Sequence, residues 1–377
     1  MKKNFLFTPG PTPIPERVLR VLGEPAIHHR SDEFKQTLSA LQPGLKSLFG
    51  TRQDVIPLTA SGTGGMEAAV TSLFSPGDTV LVVDAGKFGA RFAKLAGAFG
   101  LKVDVLKISW GQAVSAEQVL QALNPSHKAL FIQHSETSTG TLHPLHEILP
   151  RVKKALPHCW LVVDGITSIG AMEFKMDEWG VDAAVTASQK ALMLPPGLAF
   201  VSLSDRAEKA LDSARLPKFY FDLKRELTSL RQKQTGFTPA ISLLRGLEES
   251  LKMIQEEGLS HVFERHSRLA AATREALKAM GLKLASESPG VACSAAFFPG
   301  GLDGKALLKE IKQATGFHIA GAQDEWEGKV LRVSHLGYYS EFDLLSCLAA
   351  LGQHLHRSGF KNSTEKALKV FMDSARI

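Results

Sequence analysis

The stretch around Lys190 constrains the structure of this chain most. It follows Asp182–Val185, a run that ends in small and β-branched apolar residues, as buried strands do. Pro195 and Pro196, followed by Gly197, prevent a long helix from starting there. A lysine at the C-terminal end of a buried strand can be held rigidly and partly removed from water, which lowers the pKa of its ammonium group. Although most lysines lie on the surface, Lys190 is therefore a candidate for a nucleophilic amine that forms a Schiff base.

Short apolar runs alternate with helix-like segments between residues 54 and 204. The predicted strands are Val80–Val83, Val103–Leu106, Ala129–Ile132 and Trp160–Val163, and the predicted intervening helices include 91–99 and 115–123. An earlier helix is predicted to begin after Ser31 or Asp32 and to end near Phe49. This alternation predicts an α/β fold with a mostly parallel sheet and helices on its faces. Ligands of such sheets bind at the C-terminal ends of the strands.

The C-terminal third has a different pattern. Two long helices are predicted over 243–257 and 261–280, followed by strands at 291–298 and 330–334 around a helix at 304–315. This pattern predicts a small α+β domain, with an amphipathic helix over 363–377 as a tail. Because 377 residues are too many for one ordinary core, we divide the chain into an N-terminal segment (1–15), a large domain (16–250) and a small domain (251–377).

Composition excludes several classes of partner. The 44 basic and 38 acidic residues give a net charge of +6, and no run of five basic residues indicates a nucleic-acid-binding arm. No apolar stretch approaches the roughly 18 residues that span a membrane. The three cysteines, Cys159, Cys293 and Cys347, are far apart and not in metal-binding spacing. We therefore expect a cytoplasmic protein with reduced thiols and neither nucleic acid, membrane nor metal as a partner.

A glycine-rich turn at 61–65 precedes a predicted helix. Backbone N–H groups and hydroxyls at such a helix start can bind a phosphate, although a simple tight turn gives the same pattern. Glu67 stands where a dinucleotide-binding motif has its third glycine, which disfavours a nicotinamide dehydrogenase.

Two further residues are candidates because of their position. Asp164 ends the strand 160–163, where a carboxylate needs a partner. It is either a helix cap or ion-pair residue, or an anion that keeps a pyridine nitrogen protonated. Phe88 follows the strand 80–83 and could stack on a flat ring or belong to the core.

These features, taken in order, resemble the fold-type-I pyridoxal-phosphate enzymes, and among them the class V aminotransferases. The resemblance covers nearly the whole chain and is strongest to the alanine/serine–glyoxylate (serine–pyruvate) branch. Three motifs carry it: residues 8–11 (TPGP), residues 135–140 (SETSTG), and residues 188–191 (SQKA) followed by 195–197 (PPG). The last motif is the most specific. The resemblance implies a large domain with a mostly parallel seven-stranded sheet and a smaller C-terminal domain.

The resemblance also implies a role for each matching residue toward pyridoxal 5′-phosphate. Lys190 would hold the cofactor as a Schiff base and later move a proton between the substrate Cα and the cofactor. Asp164 would pair with the ring nitrogen, and Phe88 and Ile166 would lie on the two ring faces. Thr137 would bind the phenolic oxygen of the ring. The phosphate contacts would come from Ser61, Gly62, Thr63 and Gln189.

The resemblance also implies which residues contact the substrate and the second subunit. A buried guanidinium at Arg332 needs an anionic partner, which the resemblance implies is the substrate carboxylate; a structural ion pair is the alternative. Gly10 and its neighbours would face the substrate from the N-terminal segment. In the family the sites lie at a homodimer interface, and a threonine of the neighbouring subunit reaches the phosphate; here Thr235 and Thr238 are both candidates.

The function implied is transfer of an amino group from alanine or serine to glyoxylate or pyruvate. An aspartate aminotransferase is the main alternative and would need another cation, which the sequence does not locate. A cysteine desulfurase would need a mobile cysteine, whereas Cys293 and Cys347 lie in apolar segments. A 2-aminoethylphosphonate transaminase would need a phosphonate site. A non-catalytic protein that only binds the cofactor is disfavoured by the presence of Lys190, Asp164 and Arg332.

Overall fold

The computed structural model describes residues 4–377. The β-strands in this part of the chain are β1 (Phe5–Phe7), β2 (Val55–Ala60), β3 (Thr79–Asp84), β4 (Lys102–Lys107), β5 (His127–Gln133), β6 (Ser135–Glu136), β7 (Thr141–Leu142), β8 (Trp160–Asp164), β9 (Ala183–Ala187), β10 (Gly197–Leu203), β11 (Cys293–Phe297), β12 (Phe317–Gly321) and β13 (Val330–Ser334).

The α-helices are α1 (Glu16–Leu22), α2 (Asp32–Phe49), α3 (Gly62–Leu73), α4 (Lys87–Ala98), α5 (Ala116–Ala122), α6 (Leu145–Ala155), α7 (Asp205–Ala210), α8 (Leu223–Arg231), α9 (Ile241–Glu257), α10 (Leu259–Ala279), α11 (Gly304–Thr315), α12 (Glu341–Arg357) and α13 (Thr364–Ala375), with a 3₁₀ turn at Asp324–Trp326. No helix among the described residues is both long and apolar enough to cross a membrane.

The large domain is built on a seven-stranded sheet in the order β2-β10-β9-β8-β5-β3-β4. The neighbouring strands from β9 to β4 pair in parallel, and β10 pairs antiparallel with both β9 and β2. The predicted α/β fold with a mostly parallel seven-stranded sheet is therefore confirmed. The C-terminal ends of β2, β5, β8 and β9 lie at one edge, which is where the candidate residues follow the strands.

Both faces of this sheet are buried, which explains the nearly continuous apolar runs in the sequence. Along β3, Leu81 and Val83 join a core on the face covered by α2, α6 and α9. Val80 and Val82 point to the opposite core, which is covered by α3, α4 and α8. Alternate side chains of one strand thus serve two separate helix layers.

The second sheet has the strand order β1-β12-β13-β11. Its core includes Leu269 of α10, Ile311 of α11, Leu348 of α12 and Phe371 of α13. The predicted tail helix therefore packs against the small domain. Strand β1 at the N-terminus pairs in parallel with β12, so three residues of the segment predicted as 1–15 lie in the sheet of the small domain.

The remaining part of the N-terminal segment, 8–15, crosses from this sheet to the large domain without forming a helix or strand. The predicted domain boundary at residues 250 and 251 falls inside α9. Leu251 and Ile254 of this helix pack with the large-domain core. The end of α9 near Gly258, where the backbone has a positive φ of 86°, is the point at which the chain turns into α10.

Candidate active site

One end of the candidate site is the turn between β2 and α3, which we call the cup (Ser61, Gly62 and Thr63). Ser61 caps α3 and Gly62 is its first residue. A Cβ atom on Gly62 would lie 2.5 Å from Cδ1 of Ile166, so a larger residue would require the Ile166 side chain to shift. The N–H groups of the first helical turn have no partner within the helix, and they are available to an anion.

Lys190 is held in the turn that follows β9. The Ser188 hydroxyl accepts a hydrogen bond from the Leu198 N–H (3.1 Å) and donates one to the Pro195 carbonyl (2.7 Å), which fixes the turn. The Lys190 side chain is 9% exposed, and its Nζ atom donates to the Pro9 carbonyl at 2.5 Å. Burial lowers the pKa of Lys190 to about 8. The amine is therefore held in place and desolvated, and a much larger fraction of it is neutral near physiological pH than of an ordinary lysine.

Asp164 lies at the end of β8, the strand next to β9. Its side chain is 6% exposed, and Oδ1 accepts a hydrogen bond from the Ile166 N–H at 3.0 Å. Burial raises the pKa of Asp164 to about 6, while that hydrogen bond and the positive charges of Lys190 and Arg91 oppose the rise. The carboxylate thus stays mostly ionised at neutral pH while facing few solvent molecules.

Phe88 is positioned by a buried carboxylate that the sequence reasoning quoted within a motif but did not assign to the site. Glu136, 0% exposed, accepts hydrogen bonds from the N–H groups of Phe88 and Gly89 in the first turn of α4, both at 3.0 Å. Its other oxygen accepts from the Ser138 N–H (3.2 Å) and hydroxyl (2.5 Å). Burial raises the pKa of Glu136 to about 7 against these hydrogen bonds. The sequence signal that could have identified Glu136 is a glutamate at the end of a strand and next to hydroxyl residues.

These elements enclose a cavity of about 260 Å³ at the C-terminal edge of the sheet. The predicted site residues that line it are Gly10, Ser61, Gly62, Thr63, Phe88, Thr137, Asp164, Ile166, Gln189 and Lys190. Sequence reasoning missed four further lining residues: Met66, Arg91, Ser135 and Thr167. Residues separated by up to 180 positions in sequence thus meet at one cavity, where the N-terminal segment joins the C-terminal ends of the parallel strands.

Arg332 lies beside this cavity but does not line it. It is 8% exposed on β13, and its Nη1 atom donates to the Thr137 carbonyl at 2.8 Å. Its Nε and Nη2 atoms both donate to the Gly321 carbonyl, at 3.1 and 2.7 Å. Among the described residues carbonyl oxygens alone accept hydrogen bonds from this guanidinium, so the alternative of a structural ion pair is not found. Backbone dipoles compensate the buried charge instead.

The two candidate phosphate-binding threonines, Thr235 and Thr238, do not reach the cavity of their own chain. They line a separate shallow depression together with Phe237 and Thr59. The Thr235 hydroxyl donates to the Phe237 carbonyl at 2.7 Å. Within one chain, therefore, the structure does not bring these threonines to the other candidate residues.

Comparison with known proteins agrees with the architecture and the motifs. Residues 4–341 match the family described as Aminotransferase class-V. The chain is a class V aminotransferase. The resemblance inferred from the three motifs is thereby confirmed, and so is the interpretation of the chain as an enzyme.

Three curated relatives match nearly the whole of this aminotransferase. A protein of Synechococcus sp. (strain PCC 6716) named "Soluble hydrogenase, small subunit" is 41% identical, over 97% of this chain and 96% of the relative. The L-aspartate–glyoxylate aminotransferase of Paracoccus denitrificans is 37% identical, over 92% of this chain and 90% of the relative. The serine–glyoxylate aminotransferase of Methylorubrum extorquens is 36% identical, over 95% of this chain and 92% of the relative.

A solved structure shares the complete fold. The ureidoglycine–glyoxylate aminotransferase of Bacillus subtilis superposes with a TM-score of 0.95 at 29% identity. The match covers 100% of this aminotransferase and 99% of that chain. The two proteins therefore share their fold over the whole length of both chains.

Proposed function

We propose that this aminotransferase uses pyridoxal 5′-phosphate to move the amino group of a small amino acid, alanine or serine, to glyoxylate or pyruvate. The observation that carries the proposal is the desolvated amine of Lys190 in one cavity with Asp164 and the N-terminus of α3. A reactive amine, a buried anion and a phosphate cup are the three groups that this cofactor requires.

The cavity fits the cofactor in a further respect. The Gln189 Oε1 atom is buried and, among the described residues, has no hydrogen-bond partner. A buried polar atom without a hydrogen bond costs free energy unless a ligand or water supplies that bond. Either orientation of the Gln189 amide would place a polar atom toward the cup. We assign Ser61, Gly62, Thr63 and Gln189 to the phosphate group.

The remaining lining residues would hold the ring. Asp164 would keep the ring nitrogen protonated, and the Thr137 hydroxyl would bind the phenolic oxygen. Phe88 and Ile166 would contact the two ring faces, with Phe88 fixed by the Glu136 carboxylate. When bound, the cofactor supplies an electron sink conjugated to the reacting carbon. Lys190, as a neutral amine, would remove and return the proton at the substrate Cα.

Arg332 would bind the α-carboxylate of the substrate. A guanidinium has five N–H donors, and three of those of Arg332 are used by the Thr137 and Gly321 carbonyls. The two that remain, or the pair released by a shift of the side chain, can bind a carboxylate in the parallel arrangement typical of arginine. Such a fork would orient the Cα–H bond toward Lys190.

The N-terminal segment supports a short substrate side chain. A Cβ on Gly10 would lie 2.1 Å from the Lys190 Nζ atom, so this segment passes directly over the amine. The charged side chains that line the cavity in the described chain are Arg91, Asp164 and Lys190. Small donors, and glyoxylate as the acceptor named in two of the relatives, suit this space.

Aspartate is the second candidate donor, because one of the relatives is named an L-aspartate–glyoxylate aminotransferase. A desulfurase is disfavoured by burial. Cys293 is 1% exposed on β11 and Cys347 is fully buried in α12, and burial raises the pKa of both thiols. Neither sulfur can move readily to a substrate or exist easily as a thiolate.

A homodimer is part of the proposal, with a site completed by Thr235 or Thr238 of the second copy. Support comes from exposed aromatic residues beside these threonines: Phe219 is 69% and Tyr220 is 42% exposed, and both contact Phe237. Such a cluster is costly to leave in water and suits a protein contact. With three free, buried cysteines, we also propose a cytoplasmic location.

The dimer is tested by mixing two inactive variants, Lys190→Ala and Thr235→Ala or Thr238→Ala. After demonstrated subunit exchange, partial activity should return, because each mixed dimer then holds one intact site. No recovery would indicate that each site is built within a single chain.

Substrate choice is tested with a panel of donors and acceptors. We expect kcat/KM with glyoxylate to be higher for alanine and serine than for aspartate, and glyoxylate or pyruvate to exceed 2-oxoglutarate as acceptor. Lys190→Ala serves as the inactive control. Aspartate as the best donor would support the second candidate, and no transfer from any donor would refute the proposed function.

A further inference from the structure

Arg91 is a cationic side chain at the cavity to which the roles above assign nothing. It lies on α4, one turn after Phe88, and lines the cavity together with Thr63. Its Nη1 atom donates a long hydrogen bond of 3.4 Å to the Thr63 hydroxyl. Within residues 4–377 this is its one hydrogen bond, and Arg91 forms no ion pair there.

The charge balance of the cavity points to an anion near Arg91. Lys190 and Asp164 are opposite charges that stabilise each other, since each shifts the pKa of the other toward its ionised form. The cup and Gln189 offer dipoles but no formal charge. A phosphate ester carries close to two negative charges, which dipoles alone would compensate incompletely.

We propose that Arg91, which reaches the N-terminus of α3 from α4, binds the phosphate group of the cofactor. This rests on the proposed function, because it needs pyridoxal phosphate as the ligand. The contact between Arg91 and Thr63 places the guanidinium at the end of the cavity that we assign to the phosphate. Four of its five N–H donors remain for phosphate oxygens, a geometry that guanidinium suits and ammonium does not reproduce.

A competing role is support of the stacking residue. The guanidinium carbon of Arg91 lies 4.9 Å from the centre of the Phe88 ring, within the range of a cation–π contact. Through that contact Arg91 would hold Phe88 against the cofactor ring. The two roles differ in one respect: binding through phosphate requires the phosphate, whereas support of Phe88 acts equally on a ligand that lacks it.

Titration of the cofactor-free protein with pyridoxal phosphate and with pyridoxal, at one ionic strength, separates these roles. Removal of the Arg91 charge in Arg91→Met should raise the Kd for pyridoxal phosphate about tenfold, the effect of one charge-assisted hydrogen bond at an exposed position. The Kd for pyridoxal should change by less than about twofold. The Kd of Arg91→Lys for pyridoxal phosphate should lie between the values for Arg91→Met and the wild type.

Lys94→Met is the matched control, because Lys94 is an exposed cation one turn further along the same helix and does not line the cavity. It should leave both Kd values unchanged. If Arg91→Met weakens the binding of pyridoxal phosphate and of pyridoxal equally, the proposal is overturned and Arg91 supports Phe88 instead. If it weakens the binding of neither ligand, Arg91 has neither role and the proposal is also overturned. The melting temperature of each variant shows whether it is folded. If Arg91→Met is unstable, the two Kd values of Arg91→Lys are compared in the same way. Wild-type protein that binds neither ligand would instead refute the proposed function.

Discussion

The lowered pKa of Lys190 gives a direct chemical prediction for the cofactor-free protein. Burial brings the pKa to about 8 from the ordinary 10.5. At pH 7.5 about one quarter of such amines are neutral, compared with about one in a thousand for an ordinary lysine, so the reactive fraction is about 200-fold larger. Because a lowered pKa moves deprotonation to lower pH, the reactivity of Lys190 should rise up to about pH 8 and level off above it.

Competitive acetylation with trace reagent measures this profile. The peptide that contains Lys190 is quantified by mass spectrometry across pH 6–11, with a free lysine amide in the same reaction as the reference. Burial slows the reaction at every pH but does not change the shape of the profile. A rate that still rises tenfold per pH unit between 9 and 10 would refute the argument that desolvation activates this amine.

Three further substitutions test the other groups. Asp164→Asn should keep the cofactor but lower kcat by roughly 10²–10⁴, because the ring nitrogen loses its anionic partner; a kcat close to wild type would make Asp164 a structural residue. Arg332→Lys should cost about 2–5 kcal/mol in kcat/KM for both donor and acceptor without weakening cofactor binding, since lysine lacks the planar fork; unchanged kcat/KM would place the carboxylate elsewhere. Glu136→Gln should destabilise the protein by about 1–3 kcal/mol, because the amide nitrogen cannot accept a hydrogen bond and leaves one backbone N–H donor unpaired; an unchanged denaturation midpoint would contradict that assignment.

The parts of the fold that follow from local sequence could be predicted. The strand before Lys190 and the strand before Asp164 are short apolar runs that end in polar residues, and the structure places both in the parallel sheet. The helix capped by Ser31 begins where its N-cap signal predicts, with the Ser31 hydroxyl accepting from the Phe34 N–H.

The parts that depend on distant contacts could not be predicted. The contact between Glu136 and the first turn of α4 joins residues 48 positions apart, and no local pattern encodes it. Strand β1, with three residues, is too short for a periodicity signal, and it is defined by its pairing with β12. The carbonyl oxygens that surround Arg332 are set by the backbone and leave no signal in the sequence, so these hydrogen bonds could not be predicted.

Reductive labelling tests the central claim that Lys190 binds the cofactor covalently. The purified protein is incubated with pyridoxal phosphate, reduced with borohydride and digested, and the peptides are mapped by mass spectrometry. We predict one stoichiometric pyridoxyl group on Lys190 and none in the same peptide of Lys190→Ala. A stoichiometric label on another lysine, or no label on wild-type protein that binds the cofactor, would contradict the account.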